Sequence, residues 1–262
     1  MKKTLLVLLC IPVIGFSQGK LKKATENLSS RPSASSSSSN SSKKRNTDND
    51  NDNFFGDLIA ELFFLVSYKI AFGEFEDRYF TKYPYYYDNV DGEYDFGFEK
   101  GDKSTLIRVG GNYLVGKPVN AIEANINFRF SPFLGIELSK LNFYEKRRGE
   151  DDQLNVTSFM FNYYRIRERS MSAWWGIGGT YVGNEIGTTG FSYNYGAELY
   201  VFRPMSFHAS YKKSFINQSH INVLKLQAKY HQKRMTYYTG YHYISLGGVK
   251  IPGVVLGLEL TF

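Results

Sequence analysis

Val249 to Phe262 reads VKIPGVVLGLELTF, and the way its side chains alternate decides the fold. Val254, Leu256, Leu258, Leu260 and Phe262 share one parity, while Gly253, Val255, Gly257, Glu259 and Thr261 share the other. Successive side chains of a strand point to opposite faces, so one face suits lipid and the other a tighter, partly polar interior. Glu259 sits amid the apolar run without reaching its outer face. The stretch reads as the closing strand of a transmembrane β-barrel.

Working back from it, the same alternation recurs in candidate strands at 249–262, 234–246, 220–232, 205–216, 188–203, 170–183, 152–167, 132–145, 119–130 and 104–114. Ile122, Ala124, Ile126, Phe128 and Phe130 alternate with Glu123, Asn125, Asn127 and Arg129. Phe191, Tyr193, Tyr195, Ala197, Leu199 and Val201 alternate with Ser192, Asn194, Gly196, Glu198 and Tyr200. One such stretch is weak evidence, whereas ten joined by short connections predict adjacent antiparallel strands. Their lengths exceed those of ordinary soluble strands and fit a tilted span with rim extensions. A soluble sandwich would also alternate, but it does not explain so many long neighbouring strands with aromatic outer faces.

With Phe262 at its end, the chain resembles a bacterial outer-membrane β-barrel protein, whose final strand commonly ends in an aromatic residue read by the barrel-insertion machinery. The resemblance implies a location and a fold and carries no activity. Composition agrees with it: 21 Tyr, 21 Phe and 24 Gly stand in a chain that is 22% charged. Aromatics suit barrel rims, and glycine is tolerated in crowded strands.

The turns alternate in kind. Ser131–Pro132, Glu168 to Ser170, Arg203–Pro204 and Lys233–Arg234 mark one end; YEKRRGEDDQ, GNEIGTT, INQSH and GGVK mark the other. Placing the first set in the periplasm puts the N-terminal segment and Phe262 on that side and requires an even strand number. Ten strands satisfy this. Adding 65–75 and 93–99 as a further hairpin gives twelve, which the short connection EKGDKS favours.

The amino terminus reads MKKTLLVLLCIPVIGFSQGK. Two lysines, an apolar run too short to span a bilayer and small residues at Gly15 and Ser17 make 1–17 a secretory signal, with Gln18 first in the mature chain. Cleavage would remove Cys10, the only cysteine, and with Lys2 and Lys3 gone the net charge of +7 falls by two to +5. An exported chain of this kind is no nucleic-acid binder, and its partners are outer-membrane lipids and an envelope protein. Residues 18–53 include SSRPSASSSSSNSSKKRNTDNDNDN, a low-complexity periplasmic tether. Asn53 then caps an expected helix over 54–64, interfacial or a plug, whose face of Phe54, Phe55, Leu58, Ile59, Leu62 and Phe63 suits a partner. The barrel domain follows over 65–262.

In FEDRYFTKYPYYYDNVDGEYDFGFEKGDKS, Tyr83, Tyr85, Tyr86 and Tyr87 form a candidate external recognition loop, since rigid amphipathic rings give contact at low entropic cost. Glu123, Arg129, Glu137, Glu198, Lys225, Lys229 and Glu259 point into the lumen by parity, where they pair or line a narrow polar path. His208 and Ser210 share a strand face with Glu198 opposite, a spacing that vaguely resembles outer-membrane lipid A deacylases, but the rest of that motif is missing and parity turns both residues inward. His220, His231 and His242 are too far apart for a local metal box, and no nucleotide loop is present, so no cofactor is expected. Three functions follow in order: a non-enzymatic outer-membrane scaffold or accessory subunit, a narrow polar-solute channel, and an outer-membrane lipid hydrolase.

Overall fold

In the computed structural model, residues 19–30, 79–88, 92–97, 100, 102–146, 151–184 and 186–262 are described. The expected signal peptide, most of the tether, the helix at 54–64 with its six partner-facing residues, and the strand at 65–75 lie outside them. A helix, α1 (Lys20–Ser29), comes first, followed by two short strands, β1 (Tyr79–Phe80) and β2 (Tyr94–Asp95). Ten longer strands complete the chain: β3 (Leu106–Gly116), β4 (Val119–Ser131), β5 (Leu134–Lys146), β6 (Asp151–Arg167), β7 (Met171–Val182), β8 (Thr188–Phe202), β9 (Met205–Ile216), β10 (Ser219–Gln232), β11 (Met235–Leu246) and β12 (Val249–Thr261).

β3 to β12 pair antiparallel in sequence order, and β12 pairs back onto β3 to close a barrel. Ten strands close it and not the favoured twelve, because Gly253 to Thr261 register directly against Gly116 to Arg108 and leave no gap for another hairpin. Residues 94–95, expected in that extra hairpin, pair instead with 79–80 outside the wall. The wall therefore begins at Leu106.

Parity sorts the wall as the alternation requires. Leu256, Val254, Ile177, Phe191 and Phe159 are among the exposed outer residues, with Leu256 65% exposed. A continuous apolar surface of this extent far exceeds the patch a water-soluble monomer carries, so its solvent is lipid. No helix among the described residues is long and apolar enough to cross a membrane; the strands do the crossing.

The interior changes character along the barrel axis. Toward the mouth that holds α1, the inward residues are apolar, among them Leu114, Leu141, Phe143, Leu154, Val182, Ile216, Ile244 and Val255. α1 closes this end by setting Leu21, Ala24 and Leu28, all buried, against them. These three fall at i, i+3 and i+7 on one helical face. A ten-residue helix is marginal alone, so this packing is what holds it. It occupies part of the stretch expected to be tether, because three apolar residues suffice once a barrel mouth receives them.

Next comes a set of inward hydroxyls. Ser158 and Thr180 lie 2.9 Å apart, Thr180 and Ser214 2.9 Å, and Ser192 Oγ lies 2.8 Å from both Thr180 Oγ1 and Ser214 Oγ. Beyond them, toward the mouth where β12 ends, the interior is ionic. That mouth carries three register shifts, at Arg129/Ser131, Tyr164/Ile166 and Tyr200/Phe202, as barrel rims often do.

Candidate functional site

β12 and β10 carry Glu259 and Lys229 inward, β8 carries Glu198, and β3 carries Arg108. Glu198 Oε2 lies 3.3 Å from Lys229 Nζ and 3.6 Å from Arg108 Nη1; Glu259 lies 3.8 Å from Arg108 and 3.9 Å from Lys229. Arg108, Glu198 and Lys229 are buried and Glu259 is partly so, and each has more than one opposite neighbour, as a low-dielectric interior demands. Ser206 donates to Glu198 at 2.8 Å, so its oxygen accepts from His231 Nε2–H at 2.7 Å, and His231 Nδ1 accepts from Thr236 at 3.0 Å. That assignment makes His231 a neutral, satisfied interior histidine.

A second group surrounds Glu123. Lys225 donates to it in a short ion pair, and Asn112 Nδ2 donates to its other oxygen at 2.9 Å. Glu137 accepts from Asn162 at 3.3 Å. Lys212 donates to Ser158 at 2.8 Å and Ser139 at 3.3 Å, and no carboxylate lies within ion-pair distance of it among the described residues. Between these groups is a cavity of about 80 Å³ lined by Arg108, Glu137, Asn194, Lys212 and Lys229 among others.

Glu198, His208 and Ser210 do converge. His208 Nε2 lies 3.1 Å from Ser210 Oγ, while its Nδ1 is 3.7 Å from Glu198, beyond hydrogen-bond reach. The group faces the enclosed lumen, and its carboxylate is already committed to Lys229 and Ser206. His242 is fully buried and lies 2.9 Å from Gln227.

The mouth where β12 ends is stoppered by residues 79–88 and 92–97. Glu93, 1% exposed, reaches in and is gripped by two guanidinium groups, Arg108 in a short pair and Arg129 at 2.8 Å. Burial works to raise the Glu93 carboxyl, but Arg108 and then Arg129 outweigh it and hold the group below its ordinary 4.5. Arg129 also donates to the Tyr94 hydroxyl at 2.6 Å, which in turn donates to Pro132 O at 3.3 Å, and its guanidinium lies 3.7 Å from the Tyr164 ring centroid. Burial pushes the Tyr94 phenol up. Arg203 holds the stopper's edge through Asp88 at 2.9 Å and the carbonyls of Tyr85 and Tyr87.

The tyrosine loop lies at this same mouth, against Phe202 to Met205, and not at the opposite one expected of an external loop in a twelve-stranded barrel. Tyr85 turns inward and donates to Met205 O. Tyr83, Tyr86 and Tyr87 pack edge to face, with centroids 5.0 and 4.6 Å apart, and Lys82 donates to Tyr86 at 3.0 Å. All seven residues assigned to the lumen lie inside the barrel, and six of them line the cavity. Arg108, Lys212 and Glu93 escaped the sequence reading. The inward parity of Leu106, Arg108, Gly110 and Asn112 was signal enough for the first; nothing local marks the last.

No family model matches the chain, and no curated protein matches it. Solved structures that it resembles include the KdgM porin (8% identity, TM-score 0.37, covering 59% of this chain and 99% of that one). Neisserial surface protein A is another (10%, TM-score 0.34, 62% and 100%), as is Ail of Yersinia pestis (13%, TM-score 0.35, 60% and 98%). The class of this protein rests on its own geometry. A closed antiparallel wall, apolar outside and charged within, makes the chain a ten-stranded transmembrane β-barrel of the outer-membrane type.

Proposed function

We propose that the protein is a non-enzymatic outer-membrane scaffold, or an accessory subunit of an envelope complex, whose barrel is a closed anchor. The observation that supports this is the double stopper: α1 fills one mouth, residues 79–88 and 92–97 fill the other, and most of the charges between them are paired. An apolar section lies in series with the ionic one, which is a poor route for a polar solute. The lipid-facing wall sets the protein among outer-membrane lipids. Its protein contacts fall to the segments outside the wall, including the apolar face that the sequence alone predicts for Phe54, Phe55, Leu58, Ile59, Leu62 and Phe63, and the ring cluster of Tyr83, Tyr86 and Tyr87. The full chain reconstituted in planar bilayers is expected to show no steady conductance, and in mild detergent to migrate with a stoichiometric envelope partner. A monomer that conducts would overturn the reading.

The cavity favours a second reading, a narrow polar-solute channel. Its lining of both charge signs suits a small polar solute, provided that both stoppers move. Selective permeation into liposomes that rises when residues 79–97 are released would support it. Lipid turnover unchanged by Ser210→Ala would set the hydrolase reading aside.

A further inference from the structure

Arg129 is 2% exposed, and Glu93 is the one carboxylate within ion-pair distance of it among the described residues. That carboxylate does not belong to the wall. It is carried by a short segment, β1 and β2 with their connection, whose own sheet is only two strands of two residues each. The wall supplies the opposite arrangement: Arg129 and Arg108 project inward from paired strands near the register pair Leu106–Arg129 and converge on a single acid. Arg108 also has Glu198 at 3.6 Å and Glu259 at 3.8 Å, both carried by the wall, so its charge is not balanced by the segment alone. Phe80, Tyr94 and Tyr164 surround Arg129 with ring faces, and neither guanidinium Nε has a hydrogen-bond partner among the described residues.

We infer that Arg108 and Arg129 form a binding site for an oxyanion-bearing solute, a small carboxylate or phosphate, and that Glu93 is the resident occupant standing in for it. Guanidinium pairs of this kind match the planar, two-oxygen geometry of a carboxylate and bind phosphate equally well. A buried guanidinium stripped of its anion is strongly unfavourable, so while Glu93 is ionised the segment leaves the mouth as another anion enters. Binding and release of the stopper are then one event, a direct exchange of acid for acid. The site goes beyond the scaffold reading and does not depend on it, since a barrel that never conducts can still sense an anion at its mouth.

The test uses the full chain folded in detergent, with acetate and inorganic phosphate as separate probes against chloride at matched ionic strength. Glu93→Gln removes the resident acid while keeping the shape. This variant is expected to gain saturable stabilisation against thermal unfolding by one or both probes, with binding tightened over wild type by about tenfold, the scale of one charge-assisted hydrogen bond. Adding Arg129→Gln is expected to abolish that response. The relative response to acetate and phosphate names the source of the oxyanion. Equal behaviour in acetate, phosphate and chloride, or a response that survives Arg129→Gln, overturns the site. If Glu93→Gln does not fold, Thr81→Cys decides in its place, because Thr81 belongs to the segment and is fully buried while it is seated. With Cys10 replaced, alkylation at position 81 accelerated by acetate or phosphate supports exchange, and a rate unmoved by either refutes it.

Discussion

Glu145, on β5, caps the helix that closes the opposite mouth: its two carboxylate oxygens accept the N–H groups of Lys20 at 3.1 Å and Leu21 at 2.8 Å. α1 has no side-chain cap of its own, since Gly19 stands at that position. The first turn of a helix leaves N–H groups without partners and carries partial positive charge, and a carboxylate from 124 residues away answers both needs. Glu145→Ala is expected to cost about 1 kcal/mol in seating α1, the usual worth of an N-cap. Hydrogen exchange should then rise over residues 20–29 while the strands stay protected. Uniform loss of protection would show that Glu145 supports the wall itself.

At the other end of the same helix, Gly247 makes the approach possible. Its φ is +56°, and a Cβ there would stand 2.9 Å from Cβ of Asn27, whose amide donates to Gly247 O at 2.7 Å. Gly247→Ala combines about 1–2 kcal/mol of left-handed strain with that contact, so α1 should lift. Alkylation of a cysteine placed at Ala24, slow in the parent barrel, should become fast.

The stopper at the ionic mouth has a definite pH dependence. The Glu93 carboxyl is held below its ordinary 4.5 by Arg108 and Arg129 against burial, with Glu198 opposing and Tyr94 and Tyr200 also facing the pair. A depressed folded-state value means that the unfolded segment binds the proton more readily. Its stabilisation is therefore complete above pH 4.5 and declines as pH falls below that toward the folded-state value. Alkylation of Thr81→Cys should be slow and flat from neutrality down to that point and should then climb. Glu93→Ala should remove the pH step and destabilise seating by roughly 3–5 kcal/mol.

The outer wall gives a test of the medium. Leu256 points outward from the middle of β12, and Leu256→Arg is expected to cost about 2–4 kcal/mol in folding into phospholipid vesicles. In a water-soluble barrel the same change would be close to neutral. Lys250, also outward but at the rim of β12, should tolerate reversal to Glu with a much smaller effect.

The strands were legible because each separates two media. Along Ile122 to Phe130 or Phe191 to Val201, lipid and lumen write their demands on alternate residues, and observed strand ends fall within about two residues of those read from the sequence. Strand number was less legible, since ten and twelve are both even and only the register of Gly253 to Thr261 against β3 decides. α1 carries three apolar anchors in ten residues, too few to announce a buried face before its receptor is known. The adjacent Lys212 and Lys213 illustrate the lumen's ambiguity: the first is buried beside hydroxyls, while the second lies outside, 5.4 Å from the Phe215 ring centroid. Glu93 could not be found by pattern at all, because its meaning comes from two arginines on strands that its own loop does not continue.

The layering of the interior has an electrical consequence. Hydrocarbon side chains beneath α1 form an insulator, whereas the ionic section on the far side of the Ser158, Thr180, Ser192 and Ser214 hydroxyls is far more polarisable. Connected in series, the two divide any applied voltage unequally, and the larger share falls across the oily layer. Glu198, Lys229 and their neighbours thus sit in the weaker part of whatever field the membrane carries.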